Sequence, residues 1–146
     1  MIACPPLGQV SIMARTDTIE LPTASPYDRL GGAPALRRLV DAFYDAMDRD
    51  PAAAGIRVMH EPDLDPIRDK LFDWLSGWAG GPAVYNARPD RTCIMSAHAP
   101  YAIGPAERDQ WMACMRTALA SLELGDDVRV MFDAAFSRLS DGLRNR

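Results

Sequence analysis

The chain reads as all-α, on three observations. Four long segments carry apolar residues at three- and four-residue spacing. Their starts and stops are marked by capping residues, first-turn prolines and glycine pairs. No alternating strand pattern and no Asn-Gly or Asp-Gly hairpin signal appears. Four substantial helices and two or three short ones are expected.

Residues 1–24 mix Pro, Gly, Ser and Thr without a period and read as a loosely ordered extension. Residues 25–146 then form one domain. Ser25-Pro26-Tyr27-Asp28 starts a short helix that stops at Gly31-Gly32, a pair suited to positive φ in a tight corner. Pro34 opens a longer helix with Leu36, Leu39, Val40, Phe43, Tyr44 and Met47 on one face. Tyr44 therefore faces inward, where its phenol needs a hydrogen-bond partner. A short helix from Pro51 to about Arg57 follows, then a loop with Met59 and His60.

Asp65-Pro66 pairs a cap with a first-turn proline. Ile67, Leu71, Trp74, Leu75 and Trp78 mark one face of the helix that ends at Gly80-Gly81-Pro82. Residues 83–97 read as a long irregular segment, of the kind that is often functional. His98 stands at its end, within Met95-Ser96-Ala97-His98-Ala99-Pro100-Tyr101. Gly104-Pro105-Ala106-Glu107 starts a helix striped by Trp111, Cys114, Met115, Ala118 and Leu119. Gly125 precedes the last helix, capped by Asp126-Asp127. Val128, Met131, Phe132, Phe136 and Leu139 repeat along it, with Arg144 and Arg146 at its negative end.

Bulk numbers bound the function. The 146 residues are 48% hydrophobic and 25% charged, which suits one soluble domain. A net charge of −4 argues against a nucleic-acid partner. No apolar run reaches the ~18–20 residues needed to cross a bilayer. The first fifteen residues show no basic region followed by an apolar core. Cys4, Cys93 and Cys114 have no metal-site spacing, and a reduced cytoplasmic setting is expected.

From its own stretch, His98 is either a structural histidine bonded to nearby backbone or an axial metal ligand. His60, the second histidine, reads alone as a surface residue. Two aromatic-bearing helices, an inward tyrosine and a histidine on a short apolar element are together the parts of a haem pocket.

Several stretches resemble the truncated haemoglobins, and within them the second group. They are Tyr27-Asp28-Arg29-Leu30-Gly31-Gly32, Phe43-Tyr44, Gly80-Gly81-Pro82-Ala83-Val84-Tyr85, His98-Ala99-Pro100-Tyr101-Ala102-Ile103, and Glu107-Arg108-Asp109-Gln110-Trp111 with Cys114-Met115. The resemblance spans about residues 26–143. It implies a two-over-two helical sandwich around haem b, with His98 as proximal ligand. Tyr44 and Trp111 match the distal hydrogen-bond donors. His60 matches a third distal residue, with Met59 as the alternative one position away. Ile67, Leu71, Leu75 and Trp74 match pocket walls, and Lys70 and Tyr85 match residues near the propionates. Phe43, Met95, Tyr101, Ile103 and Met115 complete the implied pocket. The family's arginines just before the proximal histidine are absent. Met95, Ser96 and Ala97 stand there, which should weaken haem retention or move the propionates to Lys70, Arg88 or Arg91.

The implied function is binding of O2 or another small ligand (NO, CO or sulfide) by a monomer or homodimer. The alternative is nitric oxide dioxygenase or peroxidase-like chemistry, which needs an external reductase, since no nicotinamide or flavin fingerprint is present. A third reading is a haem-free helical interaction module.

Overall fold

The capping signal at Ser25 is used as read. In the computed structural model, which describes residues 24–146, the Asp28 amide donates to Ser25 Oγ at 3.1 Å. The Asp28 carboxylate accepts from the Ser25 amide at 3.3 Å. Helix α1 (Pro26–Leu30) ends at Gly31 with φ 121°, and Gly32 follows at φ 74°. The expected corner is therefore made by the two residues that adopt such angles without a Cβ clash. Nearly all of the expected N-terminal extension lies outside the described residues.

The remaining helices are α2 (Gly32–Arg49), α3 (Ala54–Arg57), α4 (Asp65–Trp78), α5 (Ile94–His98), α6 (Pro105–Ala120) and α7 (Asp126–Gly142). Single 3₁₀ turns cover Pro51–Ala53 and Val84–Ala87. The described residues contain no strand. Four local expectations shift. Helix α2 begins at Gly32, two residues before Pro34, because proline fits anywhere in the first turn. Asp65 is a helical residue rather than the cap, and its amide is taken by the Asp63 carboxylate at 3.0 Å. Asp126 and Asp127 lie inside the first turn of α7, next to its positive end, while Gly125 takes the cap position. The segment read as wholly irregular contains a 3₁₀ turn and α5.

Two helix pairs, α2 with α4 and α6 with α7, are joined chiefly where α2 packs on α6. This is the two-over-two arrangement. Leu36, Leu39, Val40, Phe43 and Met47 of α2 are buried, as are Leu75 of α4, Met112, Met115 and Leu119 of α6, and Phe132 and Phe136 of α7. Aromatic rings bridge the pairs: Phe43 to Trp111 at 5.2 Å, Trp111 to Phe136 at 5.7 Å, and Phe136 to Trp78 at 5.0 Å between centroids. Charge ties α4 to α2 on the outside. Arg68 reaches the Asp45 carboxylate at 2.8 Å and the Asp41 carbonyl at 2.9 Å. Cys114 is a buried free thiol. Cys93 is not free, so the expectation of reduced cysteines does not hold at that position. No helix among the described residues is long and apolar enough to cross a membrane.

The turn after α4 docks on α1. The Tyr27 amide donates to the Ala79 carbonyl at 2.9 Å, and the Tyr27 ring covers Gly81. A Cβ at Gly81 would stand 2.6 Å from that ring. Gly81→Ala should therefore cost about 1–3 kcal/mol by overpacking. Leu39→Ala, at a fully buried site, should cost about 2–5 kcal/mol. Urea unfolding followed by far-UV circular dichroism checks both.

Candidate functional site

Helix α5 has only five residues, too few to hold itself together in isolation. It positions one side chain well. His98 lies one helical turn beyond Ile94, and its Nδ1 stands 2.7 Å from the Ile94 carbonyl oxygen. A carbonyl only accepts, so Nδ1 is the donor and Nε2 is the nitrogen left over from that bond. The strand of chain after it is pinned by the C-terminal tail. Asn145 accepts from the Ile103 amide at 2.8 Å, donates to the Tyr101 carbonyl at 2.7 Å, and gives its own amide to the Ile103 carbonyl at 2.9 Å.

His60 is built the same way. Its Nδ1 stands 2.8 Å from the Ile56 carbonyl oxygen. The Ile56 amide donates to Gln110 Oε1 at 3.1 Å, so α6 holds α3 and α3 holds the ring. Gly55 lets Gln110 approach; a Cβ there would come within 2.8 Å of Gln110 Oε1. Arg57 fastens the loop by donating to the carbonyls of Glu61 and Pro62, each at 3.0 Å, and by pairing with Asp48 at 3.0 Å. Burial lowers the His60 pKa. The Arg57 and His98 charges act in the same direction, against the hydrogen bond to Ile56.

Tyr44 is buried on α2, its ring 4.9 Å from that of Phe43 and 5.9 Å from that of His60. Burial pushes the ionisation of its phenol well above the ordinary range, and the nearby Arg68 charge only partly opposes this. The hydroxyl therefore stays a donor. Neither it nor the Trp111 indole N–H has a hydrogen-bond partner among the described residues.

These groups face one cavity of about 400 Å³. Tyr44, Met59, His60, Ile67, Lys70, Leu71, Trp74, Tyr85, His98, Tyr101, Ile103 and Trp111 all line it. Ile56, Ile94, Leu139 and Leu143 add further apolar wall. Phe43, Leu75 and Met115 do not line it. They are fully buried in the core behind it, and Phe43 supports both Tyr44 and Trp111. Met95 is exposed on α5 and also does not line it. Met59 and His60 both reach the cavity wall.

The more exposed edge of the cavity is charged. Lys70 pairs with Asp90 at 3.2 Å, and Arg88 pairs with Asp90 at 2.9 Å and Asp73 at 2.7 Å. Arg88 first, then Lys70, holds the Asp90 carboxyl down to about 2. The Tyr85 hydroxyl donates to the Thr92 carbonyl and accepts from the Thr92 amide, both at 3.0 Å.

Residues 25–143 match the family described as bacterial-like globin. The chain belongs to that family. This globin is 27% identical over 105 residues to the group 2 truncated hemoglobin YjbI of Bacillus subtilis, covering 72% of this chain and 76% of the relative. Its fold is similar to the group II 2-on-2 hemoglobin of Agrobacterium tumefaciens: TM-score 0.79, 34% identity, 87% of this chain and 98% of that one. It is also similar to the cold-adapted truncated hemoglobin of Pseudoalteromonas haloplanktis: TM-score 0.80, 33% identity, 84% of this chain and 99% of that one.

Sequence reasoning gave Gln110 and Asn145 no role in this globin, yet they fix the two histidine-bearing segments. Both stand next to charged residues, and nothing in the sequence singled them out. Gln110→Leu should leave the half-buried Ile56 amide unpaired and cost about 1–2 kcal/mol. Asn145→Ala should cost about 1 kcal/mol. Thermal unfolding checks both. Amide exchange should quicken at 54–60 in the first variant and at 99–104 in the second.

Proposed function

We propose that the cavity holds haem b, and that the protein binds O2 or another small ligand such as NO, CO or sulfide. One observation carries this. His98 presents an imidazole, its Nδ1–H satisfied by Ile94, to an apolar cavity walled by Trp74, Leu71 and Ile67. That donor set and that wall fit an iron porphyrin. Haem b, held by His98, would supply an iron able to bind a diatomic ligand reversibly.

The chain's own groups do the rest. His98 holds from one side, oriented by its bond to Ile94. On the other side the Tyr44 hydroxyl and the Trp111 N–H have no partner among the described residues to give up. They donate to a ligand that gains negative charge, preorganised by Phe43 and Phe136 packing around them. Ile67, Leu71 and Leu139 exclude water, which strengthens those bonds. At the charged edge, Lys70 lines the cavity where a propionate would emerge, but Asp90 already holds it.

Purified protein mixed with haemin should give a Soret band, and His98→Gly should lose the bound-iron spectrum. No Soret band after haemin addition would favour the haem-free module instead. Tyr44→Phe and Trp111→Phe should each speed ligand release by roughly tenfold, from the loss of about 1–1.5 kcal/mol of hydrogen bonding. Rapid mixing measures this, and no acceleration in either variant would remove the hydrogen-bonding claim. Asp90→Asn should free Lys70 and slow haem transfer to an acceptor globin by roughly two- to fivefold.

A further inference from the structure

Helix α5 is weakly held. It has five residues, none of them buried, and no side-chain hydrogen bond caps its start. A helix so short and so exposed does not fix its own position. Beyond its far end, Asn145 ties the chain at Tyr101 and Ile103. Its leading end has a covalent tie instead. The N-cap residue is Cys93, and Cys93 is disulfide-bonded. Thr92 and Ile94, on either side of it, line the cavity, as does His98 at the end of the same helix.

The partner follows by elimination. The chain has three cysteines, Cys4, Cys93 and Cys114. Cys114 is a free thiol in the core. Cys4 remains. It stands 20 positions before Ala24, a length that reaches roughly 70 Å when extended. A domain of this size is only about half as wide, so Cys93 is within range.

We propose that Cys4 and Cys93 form a reversible disulfide that straps the N-terminal segment across the leading end of α5, and that its reduction loosens the helix bearing His98. Cys93 is half-buried, so a thiol reaches it. Accessible disulfides of this kind are the labile, regulatory ones. Reduction draws two electrons and two protons from an external dithiol. One of its thiolates attacks a sulfur of the bond, and the S–S bond breaks. The second thiolate resolves the mixed disulfide, so Cys4 and Cys93 end as thiols and the dithiol ends as a disulfide. Reoxidation by a disulfide runs the same exchange backwards.

The strap acts through local concentration. While the bond stands, Met1, Ile2, Leu7 and Val10 are confined near Met95 and Tyr101, the exposed apolar side chains on this side of the cavity. Once it is cut, no covalent tie holds the leading end, and α5 opens more often. The effect on α5 needs no guest in the cavity. Its consequence for haem rests on the haem site proposed above.

The test uses the full chain purified without reductant, as wild type, Cys4→Ser and Cys93→Ser. Free thiols are alkylated, and the unreduced digest is read by mass spectrometry. A peptide pair joining Cys4 to Cys93 is expected, and dithiothreitol should separate it. In amide exchange, residues 93–99 of the wild type should exchange roughly fivefold faster after reduction, with α2 and α6 unchanged. Cys4→Ser should show the faster exchange with or without dithiothreitol. It removes the bond from the far end and leaves the α5 cap intact, which separates a lost strap from a damaged helix. Loaded with haemin, the reduced wild type should pass haem to an acceptor globin roughly two- to fivefold faster than the oxidised one. A digest without the linked pair, a bond from Cys93 to Cys114 or to a second chain, or equal exchange in the two states overturns this inference. Failure to take up haemin overturns the haem site and leaves the exchange comparison to decide the strap.

Discussion

The arrangement depends on a run of aromatic rings that spans the two helix pairs. Phe43 of α2 meets Trp111 of α6, Trp111 meets Phe136 of α7, and Phe136 stacks on Trp78 of α4. Trp78 in turn lies parallel to Trp74 at 6.1 Å. Two members of this run, Trp74 at one end and Trp111 within it, are cavity walls. A small helical domain normally closes on itself until no void remains. Large planar rings braced from behind resist that closure. The core that stabilises the fold and the wall that keeps the cavity open are thus the same side chains.

That division explains why buried and lining residues separate as they do. Phe43, Leu75 and Met115 look like pocket residues in sequence because they share helix faces with Tyr44, Trp74 and Trp111. A helix face is wider than a cavity wall, however, and these three turn toward neighbouring helices. Periodicity reports which side of a helix is inward. It does not report which inward residues meet another helix and which meet a void.

Helices and their breaks were legible because each is set by local chemistry: spacing, first-turn proline, and glycine at positive φ. The all-α class follows from that, whereas the pairing of the helices two over two was implied only by the resemblance to truncated haemoglobins. The cap at Asp65 was misread by one position, since Asp63 supplies a carboxylate two residues before the amide it satisfies. Residues 83–97 looked irregular because Tyr85 and Thr92 stabilise them through a side chain and backbone seven residues apart, a bond that no periodicity marks. Gln110 and Asn145 were invisible as anchors for the same reason. Each satisfies backbone groups more than forty residues away. Tyr44, His60, His98 and Trp111 could be named from the chain, but their common cavity is a product of tertiary packing.

The charged edge of the cavity sets a constraint of its own. Where cations would be expected to wait for carboxylates, the chain places Lys70 and Arg88 against Asp90 and Asp73, two charges of each sign. The edge is locally neutral and already paired. A guest bearing two carboxylates must displace an internal carboxylate to gain a cation, and a pair exchanged for a pair yields little net energy at an exposed site. Retention of such a guest then falls on the other two resources of the cavity, its apolar walls and its imidazoles. Burial of aromatic and aliphatic surface at ~25 cal/mol per Å² does not depend on charge, and neither does an axial bond. On the proposed reading, that shifts the weight of binding from the rim to the cavity interior, where His98 is oriented by its bond to the Ile94 carbonyl.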